Sequence, residues 1–118
     1  MKDIIYLIRI SAKYSFRILR KNSPFWSSEL HNDIQVTSVF FNHITSNHKG
    51  RKIKDTLERL LLIPLIEDII QEGSIIEERQ IKEKRYFKVS KKISNKTFSI
   101  IILKKNAQYY LFSCFIDT

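Results

Sequence analysis

Apolar residues along the chain change their spacing after Gly73, from a helical period to an alternating one. Over residues 2 to 21, Ile4, Leu7, Ile8, Ser11, Tyr14, Ile18 and Leu19 fall near one helical face, with Arg9, Lys13, Arg17, Arg20 and Lys21 mostly elsewhere. The spacing predicts an amphipathic basic helix whose apolar face packs on a core, with a membrane-surface or RNA-contacting role as the alternative. Asn22-Ser23-Pro24 breaks it, and Phe25-Trp26 is expected as an apolar knot in a loop. Thr37 is placed to cap a short helix carrying Val39, Phe40, Phe41, His43 and Ile44, and Ser46 to Gly50 reads as a loop. Helical spacing resumes at Ile53, Leu57, Leu60 and Leu61. It continues past Pro64, suited to the first turn of a new helix, through Leu65, Ile66, Ile69 and Ile70 to Gly73 as a cap.

Beyond Gly73 the strand candidates are Ile75-Ile76, Arg85 to Val89, Thr97 to Leu103 and Tyr109 to Ile116. Lys104-Lys105-Asn106-Ala107 joins the last two as a turn in which Asn106 can take positive φ. Helices followed by an antiparallel meander predict an α+β fold: N-terminal helices packed on a four-stranded antiparallel sheet. The chain is expected to be one domain, with residues 1–35 as a basic helix and loop and residues 36–117 as the main body. Strict alternation in the last strand puts Tyr110, Phe112, Cys114 and Ile116 on the core side and Tyr109, Leu111, Ser113 and Phe115 on the other. Tyr86 and Lys88, Thr97 or Ser99, and Ser113 would then form a polar, cationic floor; the competing interpretation is ordinary solvent-facing polarity.

Composition narrows the chemistry. With 118 residues, 43% hydrophobic and 12% aromatic, the chain has a globular composition. Two glycines argue against a Gly-rich phosphate loop, and a single cysteine, Cys114, excludes a disulfide framework and a thiolate zinc site. The N-terminal apolar run Ile4 to Ile8 is interrupted by Arg9, too early for a secretory or membrane-spanning segment, so no signal peptide is visible and no stable membrane insertion is expected. The net charge is +9 and the pI about 9.8, which favours polyanionic partners. The charge is segregated: six of the twelve acids lie between Glu67 and Glu83, whereas residues 82 to 105 carry nine basic residues against Glu83 alone.

His31, His43 and His48 are the three histidines, and no pair has a helix-facing metal spacing with a carboxylate nearby. No serine sits in a nucleophile-elbow setting. What remains is a metal-free acid/base site on a basic surface, the requirement of ribonucleases that use the 2′-hydroxyl as an internal nucleophile. His43 is the best placed of the three. It stands in Phe41-Asn42-His43-Ile44, just before the cationic run His48-Lys49-Gly50-Arg51-Lys52.

From residue 36 to 117 this order of elements resembles the toxin ribonucleases of the barnase–EndoU–colicin–RelE class, particularly the colicin D-like branch. It consists of an apolar helix with His43-Ile44, a basic loop, a helix, a meander, and a last strand with Ser113, one spacer and an aromatic. The resemblance implies cleavage of RNA, with tRNA as the expected substrate, to a 2′,3′-cyclic phosphate without metal or other cofactor. It assigns His43 as general acid or base. Arg51 and Lys52, with Lys88, would be the phosphate-binding cations, and Ser113 a donor to phosphate. Phe115 or Tyr86 would stack on a base, with Lys49 and Thr97 as further substrate contacts. Asn42 stands where the family has a lysine before the histidine, which moves the phosphate cation to Lys49, Arg51 or Lys52. Phe115 lacks the donor nitrogen of the family's tryptophan, leaving stacking as its role. The resemblance also implies an acidic immunity or antitoxin protein covering the same cleft, and a cytoplasmic site of action after delivery from a producer cell or release from a larger toxin. Two other functions fit the sequence: a winged-helix DNA-binding module built on residues 55 to 71 and the following hairpin, and a basic adaptor for an acidic partner.

Overall fold

The computed structural model describes residues 2–46 and 52–117. Helix α1 (Lys2–Asn22) carries Arg20 and Lys21 in its last turn, where they offset the negative end of the helix dipole. The face that packs differs from the expected one. Ala12, Phe16 and Leu19 are buried and Ile8 packs on the core, whereas Ile4, Leu7, Tyr14 and Ile18 stay exposed. Phe16 decides the orientation: its ring stacks on Phe41 at 4.8 Å and lies 6.1 Å from Phe40. The helix carries two apolar stripes roughly 100° apart, and only the partner surface selects between them.

The expected loop around Phe25-Trp26 is a hairpin, β1 (Phe25–Ser27) paired antiparallel with β2 (Asn32–Gln35). Strands of three and four residues are too short to establish a period, and β2 is held by a distant partner, described below. Helix α2 (Ser38–Thr45) starts as predicted, with Thr37 Oγ1 accepting from the Val39 amide at 3.3 Å, and buries Phe40 and Ile44. Helix α3 (Ile53–Leu61) buries Thr56 and Leu60 but leaves the expected core residues Ile53 and Leu61 exposed. A 3₁₀ turn containing Pro64 (Ile63–Leu65) leads into α4 (Ile66–Glu72), which buries Ile66, Ile69 and Ile70. Gly73 ends α4 with φ −72°, so left-handed freedom is not what it supplies. It supplies room: a Cβ there would lie 2.5 Å from the Ile69 carbonyl oxygen and 2.7 Å from Val89 Cγ1.

Four long strands follow: β3 (Ser74–Ile81), β4 (Lys84–Ile93), β5 (Lys96–Lys105) and β6 (Gln108–Asp117). Each adjacent pair is antiparallel and joined by a tight turn, the last with Asn106 at φ 53° as expected. The sheet is larger than the four-stranded antiparallel one expected. It is mixed and six-stranded, in the order β1-β2-β6-β5-β4-β3, because β2 runs parallel to β6 at Ile34↔Tyr109 and Gln35↔Tyr110. The α+β class holds. One face carries Phe87, Val89, Ile100, Ile102, Leu111 and Cys114 into the core with the apolar side of α4. Since β2 covers only the start of β6, helices α2 and α3 lie along the remainder of that strand.

Candidate functional site

A bulge in β6 sets the geometry of the second sheet face. Ile102 pairs with Leu111 and Ile101 with Ser113, so Phe112 is the extra residue. Strict alternation therefore fails at Phe112. Before the bulge, Tyr109 and Leu111 face the core; after it, Cys114 and Ile116 do. Ser113 and Phe115 remain on the outer face, as expected, but Phe112 joins them there instead of entering the core, and Tyr109 and Leu111 exchange sides.

The outer face is concave. A pocket of about 320 Å³ is walled by Glu77, Arg79 and Ile81 of β3, Tyr86 and Lys88 of β4, Ile101 of β5 and Phe115 of β6. Cations flank the Phe115 ring, with Lys88 Nζ 5.2 Å and Arg59 Cζ 5.9 Å from its centroid. Lys88 also pairs with Asp117 at 2.9 Å. Arg59 reaches this face from α3. Its Nη1 donates to Ser113 Oγ at 2.7 Å, while its backbone carbonyl accepts from Cys114 Sγ at 3.3 Å. Adjacent residues of one strand thus hold Arg59 at both its backbone and its guanidinium. Burial pushes the Cys114 thiol up to about 12, which keeps it protonated and able to donate. Ser113 is only 4% exposed. A hydroxyl whose oxygen accepts from Arg59 still has its own proton to donate.

His43 enters from the last turn of α2. Its half-buried ring stacks on Phe112 at 4.4 Å, and Phe112 meets Tyr86 edge-on at 5.8 Å. The bulged residue is thus the link between the histidine and the pocket wall. The structure brings together His43, Tyr86, Lys88, Ser113 and Phe115 of the sequence-predicted residues. Thr97 shares their face but pairs with Asp117 at the end of the sheet, outside the pocket lining. Ser99, its alternative, is fully buried and hydrogen-bonded to Ser90 at 2.7 Å. Lys52 is exposed at the N-cap of α3. Lys49, Arg51 and His48 lie outside the described residues.

Sequence reasoning missed Arg59, Arg79 and Asp117. Arg59 lies on the polar side of α3 by periodicity, and its partner is 54 residues away, so no local pattern marks it. Arg79 and Glu77 gained their positions when β3 proved longer than Ile75-Ile76, with a bulge at Ile76 that turns both toward Lys88 and Tyr86. Among the described residues, no group of three or more His, Cys, Asp and Glu side chains is arranged to hold a metal ion. No family model, curated protein or solved structure matches this chain.

Proposed function

We propose that the outer sheet face binds RNA and that the protein is a metal-independent endoribonuclease. The observation that supports this most is the meeting of an acid/base group, cations, a hydroxyl donor and three aromatic rings on one concave face: His43, Lys88, Arg59, Ser113, and Phe112, Tyr86 and Phe115. In the reaction, the ribose 2′-oxygen attacks phosphorus as its proton passes to a base, and the bond to the 5′-oxygen breaks as that oxygen gains a proton. The product is a 2′,3′-cyclic phosphate. His43 moves one of these protons. Lys88 and Arg59, with Lys52 and the chain segment bearing Lys49 and Arg51, balance the charge that builds on the phosphate, and Ser113 donates a hydrogen bond to one of its oxygens. The half-buried aromatic rings take splayed bases, the way single-stranded RNA is commonly held.

The expected substrate is tRNA in the cytoplasm of a target cell, and an acidic inhibitor would occupy the same face. A winged-helix mode is less well supported, since the exposed side chains of α4 include Glu67, Asp68 and Glu72, which repel DNA phosphates. Incubation with total tRNA in EDTA tests the proposal. Discrete fragments ending in a 2′,3′-cyclic phosphate are expected. Intact tRNA, or cleavage only after divalent ions are added back, would overturn it.

A further inference from the structure

Helix α1 contributes nothing to the lining of the outer-face pocket, yet six of the twelve exposed large hydrophobic residues among those described lie on it. Ile4, Leu7, Tyr14 and Ile18 follow one another at three- and four-residue steps and are 58%, 60%, 68% and 48% exposed. Tyr6 and Ile10, at 65% and 46%, widen the stripe to an arc of about 160° around the helix. The packed stripe of Ala12, Phe16 and Leu19 anchors α1 on α3 and the 3₁₀ turn, and the exposed arc stays open to solvent among the described residues. The same helix carries six basic residues, Lys2, Arg9, Lys13, Arg17, Arg20 and Lys21, against the single acid Asp3.

We propose that α1 is a docking element for anionic phospholipid surfaces, lying in the plane of the bilayer interface. Two observations favour this occupant. The first is charge: the basic helix is attracted to anionic headgroups, and a second copy of the same helix would bring like charges together. The second is shape. The exposed arc is broad and convex, wider than the narrow seam a single partner helix covers, and a fluid interface conforms to such a surface. Arg17 and Lys21 fall within the arc near its C-terminal end, with stems long enough to reach headgroups while the apolar side chains enter the acyl boundary. Beside Tyr6 and Ile10 a cavity of about 260 Å³ opens between α1, α2 and α3, with Arg9 and Lys13 on its wall and Phe41 and Leu60 within. It provides a cationic, apolar-lined seat for a lipid headgroup phosphate and the carbons next to it. No helix among the described residues is long and apolar enough to cross a membrane, so the association is interfacial.

The test is co-sedimentation of the full chain with vesicles of equal parts phosphatidylcholine and phosphatidylglycerol, and with vesicles of phosphatidylcholine alone. Binding to the anionic vesicles is expected to exceed binding to the neutral ones by at least about tenfold. The Leu7→Asp/Tyr14→Asp double variant, altered at exposed positions, is expected to keep its circular dichroism spectrum and its RNA cleavage but to lose at least about tenfold in vesicle binding. Three results would each overturn the proposal. These are no binding to anionic vesicles, binding that the double variant leaves unchanged, and a concentration-dependent dimer in light scattering that the double variant abolishes. The last would show that a second copy covers the stripe. Loss of tRNA cleavage in wild type, by contrast, bears on the ribonuclease proposal and leaves the docking element standing.

Discussion

Replacing Ser113 with alanine takes away the oxygen on which Arg59 Nη1 donates at 2.7 Å, in a place only 4% exposed to solvent. Hydrogen bonds to charged groups contribute about 1.5–3 kcal/mol to stability. Arg59 is half-buried and can turn part of its guanidinium to water, so the lower end applies: Ser113→Ala should cost about 1.5 kcal/mol. For a domain of this length that is a fall of roughly 5 °C in Tm. The effect on RNA cleavage should be larger. Losing a fixed donor to the phosphate costs about 3 kcal/mol of transition-state stabilisation, close to 100-fold in kcat. Two measurements on wild type, Ser113→Ala, Arg59→Met and the double variant separate these contributions. Thermal unfolding should give a coupling energy of about 1 kcal/mol between the two positions, since they touch. Initial rates of tRNA cleavage should fall in both single variants. Additive stability effects would show that the bond contributes nothing. Coupled stability with undiminished cleavage by Ser113→Ala would confine the pair to a structural role and refute the assignment of Ser113 as a phosphate donor.

His43→Ala should keep the fold and lower cleavage at least about 100-fold, the usual scale for a proton-transferring group; near-normal rates in a folded variant would contradict its role. Gly73→Ala should cost about 1–3 kcal/mol in urea unfolding, because the added methyl meets the Ile69 carbonyl and Val89 at under 3.0 Å; an unchanged midpoint would mean that α4 shifts freely. Cys114 should resist aromatic disulfide reagents in native protein at pH 8 and react only on unfolding, and prompt native reaction would place it outside the core. The same thiol sets a pH dependence. Its folded value, about 12, lies above the ordinary 9.0, so its contribution to stability is whole below pH 9 and is lost as pH rises through the interval to 12. Cys114→Ala should remove that alkaline loss, measured as Tm against pH.

His43 stacks on Phe112, and the next residue along that strand, Ser113, accepts a hydrogen bond from Arg59. The shared outer face of Tyr86 and Lys88, and of Ser113 and Phe115, was legible, because two-residue alternation within an unbulged stretch of strand needs no knowledge of partners. Phe112 was misplaced because a bulge inserts one residue opposite β5, and only the pairing of two strands reveals it. Arg59 was invisible for a related reason: its function as a neighbour of Ser113 arises from the end of β6 that β2 leaves uncovered and α3 occupies.

What the sequence alone determined is therefore local. The end of α1 before Pro24, the Thr37 cap, the break at Pro64, the turn at Asn106 and the order of helices before strands all rest on contacts within a few residues, and all appear in the structure. Tertiary structure decided whatever required choosing among equivalent local options. It chose which of two apolar stripes of α1 packs, because Phe16 finds the rings of Phe40 and Phe41. It recruited Phe25–Ser27 and Asn32–Gln35 into the sheet, because Ile34 and Gln35 meet the start of β6 in parallel. In both cases the deciding free energy comes from surfaces distant in sequence. A local hydrophobic pattern records that a face is to be buried, but not against what.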